Sequence, residues 1–194
     1  MKIYTKEDLK DKDWHIRREA YRTLGYTEQA LKDEDPDIRL EAYQALGYTK
    51  DAFKDEHGHI RREAYRTLGF NEQALKDKDP DIRLEAYRTL GYNQQALKDE
   101  HWFTRLEAYR TLGFNEQALK DERWQTRQEA YRTLGYTKQA LKDECSDIRQ
   151  EAETYLNFMN DITIEDAPLH LNSENEIIAL AAKHLLERSK LKRL

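Results

Sequence analysis

Cysteine is almost absent from this chain of 194 residues: Cys145 stands alone, so an intrachain disulfide is excluded and a reducing compartment is the natural setting. Proline occurs three times and glycine seven, too few for a loop-rich or low-complexity chain. No apolar run approaches the roughly 20 residues that a membrane-spanning helix needs. The opening MKIYTKEDLKDKD also lacks the apolar core of a secretory leader. A cytoplasmic protein that does not enter the membrane is the expectation. Cations are in deficit as well: 33 Lys and Arg against 38 Asp and Glu give a net charge of −5. That balance argues against a generic nucleic-acid coat, because neutralising phosphates calls for an excess of basic side chains.

What the chain does have is charge, at 37% of residues, and repetition. Leu9, Leu31, Phe53, Leu75, Leu97, Leu119 and Leu141 are spaced by 22 residues, and so are the Glu-Ala pairs that start at Glu19 and recur to Glu151. Gly25, Gly47, Gly69, Gly91, Gly113 and Gly135 keep the same interval, so residues 9–162 are seven units of 22 without insertion or deletion. In residues 31–52, Asp35 is placed to cap a helix whose first turn holds Pro36, where a missing N–H costs nothing. Ile38, Ala42 and Leu46 then share one face, and Gly47 is the expected left-handed stop, which predicts a helix over Pro36–Leu46. Thr49 and its equivalents Thr27, Asn71, Asn93, Asn115 and Thr137 are positioned to open a second, shorter segment, α or 3₁₀.

One such unit cannot bury its apolar stripe alone, so the units are expected to lean on one another in a single all-α solenoid domain. Residues 1–8 match the end of a unit, and residues 163–187 align Leu171, Ile178, Ala182 and Leu186 with the repeat as a degenerate cap, followed by a basic tail at 188–194.

The segments Asp35–Ala42 and Asp79–Ala86, both D-P-D-I-R-L-E-A, resemble HEAT-like repeats of the bilin-lyase type. The short unit with one reduced segment is similar to the leucine-rich variant repeat. The resemblance implies a right-handed α-solenoid of seven two-helix repeats and an Asp–Arg ladder between neighbours, Asp33 and Arg39 being one example of its spacing. Function does not follow from such a scaffold. A Cys-ligated iron–sulfur cluster, known among leucine-rich variant proteins, is excluded by the single cysteine, and no motif matches the catalytic residues of HEAT-like DNA glycosylases. No cofactor and no catalysis are expected.

Two surfaces are candidates for a partner. Helical spacing puts Arg18, Arg22, Arg62, Arg66, Arg88, Arg110 and Arg132 opposite the core, beside a tyrosine column that includes Tyr65, Tyr87 and Tyr109. Exposed together, they would grip an acidic peptide, or phosphates with stacked bases; packed between helices, the tyrosines would belong to the core. The second surface is the turn where two units have Pro but three have Trp14, Trp102 and Trp124, with Phe103 following Trp102. Exposed aromatics of this kind anchor protein interfaces. His57 and His59 are close together, but His15 and His101 each lie two repeats away, too far to converge with them on a metal. A protein or peptide partner is the leading expectation, with nucleic-acid binding or mimicry as the alternative and an enzyme last.

Overall fold

The computed structural model describes residues 3–191. It is an all-α tandem repeat, with no strand among those residues. The main helices are α1 (Trp14–Leu24), α2 (Pro36–Leu46), α3 (Gly58–Leu68), α4 (Pro80–Leu90), α5 (Trp102–Leu112), α6 (Trp124–Leu134), α7 (Ser146–Asp161) and α8 (Glu176–Leu191). A 3₁₀ segment precedes each one, from Asp8–Lys10 ahead of α1 to Ala167–His170 ahead of α8. The helices fall into two compact units, Met1–Gly91 with α1–α4 and Tyr92–Leu194 with α5–α8.

The bounds of α2 are those its sequence predicts. Asp35 Oδ1 accepts from the amides of Asp37 and Ile38 at 3.0 and 3.3 Å, and Pro36 opens the helix. Gly47 ends it, its N–H donating to the Tyr43 carbonyl at 2.9 Å. The stop is not left-handed helical as expected: Gly47 combines φ 93° with ψ 143°. A side chain is even less welcome in that region, so glycine is required for a sharper exit than the expected cap. The second segments are 3₁₀, mostly three residues, and Asn71, Asn93 and Asn115 accept at 2.9 Å from the amides of Gln73, Gln95 and Gln117 just ahead of them. Thr49 makes no side-chain cap.

The core corrects one expectation. Ile38, Ile60 and Ile82 are buried, and the alanines of the Glu-Ala pairs are wholly buried, small enough to let each helix press against its 3₁₀ segment. The leucines expected to complete the stripe are not core: Leu24, Leu46, Leu68 and Leu90 in unit 1, and Leu112 and Leu134 in unit 2, are exposed. The reason is length. A helix of 11 residues spans roughly 16 Å, whereas a 3₁₀ turn of three covers about 6 Å, so the last helical turn overhangs. Tyrosine fills the place instead: Tyr21, Tyr43 and Tyr65 are buried and stack on the aromatic that follows each glycine, at 5.5–5.8 Å in the pairs Tyr21–Tyr26, Tyr43–Tyr48 and Tyr65–Phe70.

In unit 2 the seventh repeat has Asn157 where earlier ones have glycine, and α7 runs on to Asp161. The degenerate cap forms α8, with Asn175 Oδ1 accepting from the amides of Ile177 and Ile178. Its register differs by one residue from the alignment read in the sequence: Ile177 and Ala181 are buried along with Ala182, while Ile178 is half-buried and Leu171 exposed. Of the basic tail, residues 188–191 belong to α8 and 192–194 lie outside the described residues.

Candidate interaction surfaces

The most regular polar feature is the ladder of arginines and aspartates. Arg17 Nε and Nη2 donate to Asp33 at 2.9 and 2.8 Å, Arg39 to Asp55 at 2.9 Å through each nitrogen, and Arg61 to Asp77 at 2.9 and 2.7 Å. Unit 2 repeats this with Arg105 on Asp121 and Arg127 on Asp143. Each aspartate belongs to the repeat after its arginine, so every rung ties two repeats together. The remaining donors go to the preceding loop: Arg39 Nη1 reaches the carbonyls of Asp33 and Glu34 at 2.8 and 3.1 Å. Each carboxylate also takes a backbone amide two residues on, as Asp55 does from His57 at 2.8 Å.

Burial alone would push the carboxyls of Asp55, Asp77 and Asp143 up, but the paired guanidinium and the amide outweigh it and hold them below the usual carboxylate range. Shallow clefts lie over these rungs, of about 310 Å³ at Arg61–Asp77 and about 570 Å³ at Arg105–Asp121. They recur because the repeats recur, and their floors are groups already saturated with partners. Among the described residues, no three His, Cys, Asp or Glu side chains are grouped to hold a metal ion.

The arginine column lies on the outer face, but it is not idle charge. Arg22 bridges Glu19 and Glu41, Arg18 also binds Glu41, and Arg66 bridges Glu63 and Glu85 at 3.0 and 2.7 Å. Arg62 reaches Asp81 at 3.0 Å and Glu85 at 3.5 Å. In unit 2, Arg110 joins Glu107 to Glu129 and Arg132 binds Glu151. Arg88 holds the same position on α4 and is not free either. The Tyr26 and Tyr136 hydroxyls donate to Glu41 and Glu151. Burial would raise the Glu41 carboxyl, yet hydrogen bonds from Arg22, Arg18 and Tyr26 hold it at about 2. Burial, and then Glu41, push Tyr26 up to about 12.

The tyrosines expected beside these arginines are not on the surface: Tyr65, Tyr87 and Tyr109 are each 1% exposed. Tyr65 and Tyr109 stack on Phe70 and Phe114, the aromatics after their glycines, so an Arg–Tyr stripe does not exist as a contact surface. A face made of arginines already bound to glutamates offers a ligand little unpaired positive charge.

The aromatic turn is different. On α1, Trp14 stacks on His15 with the Arg18 guanidinium 5.7 Å from its ring centre. In unit 2, α5 and α6 are packed neighbours, and Trp102 and Trp124 hold the first position of each. Trp124 is 40% exposed. Trp102 is half-buried, edge-on to Phe103 at 5.5 Å. The structure also reveals what the sequence reading passed over. α1, α2 and α4 are capped by the carboxylates of Asp13, Asp35 and Asp79. α5 and α6 have His101 and Arg123 at that position, and neither side chain caps its helix. Two turns of core change with them: Thr104 and Thr126 stand where the other repeats have Ile, fully buried, their hydroxyls without a partner. His101 Nδ1 and Gln125 Oε1 are likewise buried and unpaired. The signal was present as His-Trp-Phe-Thr at 101–104 and Arg-Trp-Gln-Thr at 123–126, set against Asp-Pro-Asp-Ile at 35–38 and 79–82 and an Ile at the fourth place of every other repeat.

No helix among the described residues is long and apolar enough to cross a membrane. No protein-family model matches the chain, and no curated protein resembles it significantly.

Proposed function

We propose that this chain is a non-catalytic, HEAT-like scaffold of a reducing cytoplasm that binds a protein or peptide partner on the aromatic edge of unit 2. The observation that carries the reading is the pairing of Trp124, exposed, with Trp102 and Phe103 at equivalent starts of two neighbouring helices. Large aromatics presented on a rigid frame are what protein interfaces use as anchors, because they bury much area at small entropic cost. The arginine face supports nucleic-acid binding less well, since its guanidiniums are committed to glutamates and the net charge is −5.

Affinity capture from native lysate, run in parallel with wild type, Trp124→Ser and Arg66→Glu, tests this. The expected result is a stoichiometric protein held by wild type and by Arg66→Glu and lost by Trp124→Ser. A partner retained by Trp124→Ser removes the aromatic edge from consideration. Retention of DNA or RNA with an affinity that collapses with salt would put the nucleic-acid reading in its place.

A further inference from the structure

We infer that α8 is an acid-released latch: neutral His184 holds it against α7 through Tyr155, and protonation of the ring frees the helix and uncovers the α7 face while the repeats before it stay folded. The inference stands apart from the aromatic edge and from any partner bound there.

The joint between α7 and α8 is built differently from those before it in unit 2. Arg105 and Arg127 each reach an aspartate of the next repeat, but Arg149 donates to the carbonyls of Asp143 and Glu144, at 2.6 and 2.8 Å, and to no carboxylate. The place of its aspartate falls to Glu165, which is exposed. Without a rung, the polar tie across the joint is a hydrogen bond of 2.9 Å shared by the Tyr155 hydroxyl and His184 Nδ1. Among the described residues no other side-chain hydrogen bond joins α7 to α8. The tie lies inside the contact: Tyr155 is 1% exposed and His184 half-buried, the two rings edge to face at 5.9 Å. The Gly135 turn closes over them. A Cβ there would stand 3.0 Å from the Tyr155 hydroxyl, 3.3 Å from Arg188 Nη2 and 3.5 Å from His184 Nδ1, whereas at the other glycine stops it would meet nothing within 4 Å.

An arginine–aspartate rung keeps its charges across the neutral range, and a histidine does not. What surrounds His184 decides the sign. From α7 it meets the uncharged hydroxyl of Tyr155, and from the turn the Gly135 backbone beside Tyr136, whose own hydroxyl goes to Glu151. Glu151 is also committed to Gln128 and Arg132. On the 3₁₀ segment ahead of α8, Asp166 is held by Thr163 and His170 packs edge-on to Phe158. The charges that act on His184, those of Glu187, Arg188 and Lys183, ride on α8 itself and stay with the ring when the helix lifts. Docking therefore changes mainly the water around the ring, and burial, ahead of those charges, pushes the imidazole below 6.5. A ring that is harder to protonate in the closed joint is one whose protonation favours the open joint. The latch is at full strength above 6.5 and weakens as pH falls through the depressed value. Its release separates Ile148, Ala152 and Tyr155 from Ile177 and Ala181, with which they share a core.

Hydrogen exchange of the full chain between about pH 7.5 and about pH 5, expressed as protection so that intrinsic rates cancel, tests this beside an NMR titration of the His184 ring. Protection of the α8 amides should fall at least about threefold on acidification while the α5 amides keep theirs, with a midpoint that coincides with that of the ring. His184→Asn, neutral throughout and able to bond Tyr155 through its amide, should abolish the fall, and His170→Asn should keep it. Unchanged α8 protection in the wild type, a fall that persists in His184→Asn or one that vanishes in His170→Asn each overturns the inference. If His184→Asn leaves α8 open at every pH, the wild-type midpoints decide: coincident values sustain the latch and separate ones refute it.

Discussion

Two arginines, Arg39 and Arg66, show how little composition says about what a side chain contributes. Both form ion pairs with carboxylates of the next repeat, but the Arg39–Asp55 side chains are 7% and 6% exposed whereas Arg66 is half in water. Replacing Arg39 with Met strands a buried carboxylate, and the cost should be about 3–5 kcal/mol. Arg66→Ala should cost under about 1 kcal/mol. Urea midpoints of the two variants decide this, and equal losses would mean the ladder is no more than surface charge. Threonines 104 and 126 work the other way. Thr104→Ile and Thr126→Ile each remove a buried unpaired hydroxyl and should stabilise the chain by about 1–2 kcal/mol.

The carboxyls impose an acid limit. Glu41 is depressed from 4.5 to about 2, so its contribution is complete above 4.5 and drains away as pH falls toward 2. Tyr26 has the opposite sign: raised from 10.0 to about 12, it contributes fully below 10 and loses that contribution as pH climbs through 12. Glu41→Gln should therefore flatten stability against pH between 4.5 and 2, a slope measurable by urea unfolding across that range.

At the scale of the element, the helices were the legible part and their surroundings were not. Pro, Asp and Gly announce α2 to the residue, because each acts through local backbone geometry that needs no partner. The exposure of Leu46 could not be read the same way. It depends on how far the facing 3₁₀ segment reaches, and a periodic apolar pattern carries no record of the length of its neighbour. Tyr43 and its column were left between surface and core for a related reason: it adjoins the Ile38–Ala42 face rather than lying on it, and only the stacked Tyr48 shows which side is closed. The aromatic edge was found, but its missing caps and buried hydroxyls were not, since they emerge only when repeats are compared position by position. The glycine stops offer a test at this scale. Around Gly47 a Cβ would meet nothing within 4 Å, yet φ is 93°. Gly47→Ala should still cost about 1–2 kcal/mol, all of it from the backbone; a neutral result by thermal denaturation would mean that the turn simply relaxes.

At the scale of the whole molecule, the rungs within each unit run one way: Arg17, Arg39 and Arg61 in unit 1 and Arg105 and Arg127 in unit 2 each reach an aspartate of the repeat that follows. The handshake is directional and depends on a constant distance along the chain. Slippage by a residue or two within one repeat would leave a guanidinium facing the wrong loop, but excision or copying of a complete period would let every remaining hand find its match. Unequal crossing-over in the coding sequence is thus tolerated in whole periods and punished in fractions, which gives the array a route to new lengths through ordinary recombination.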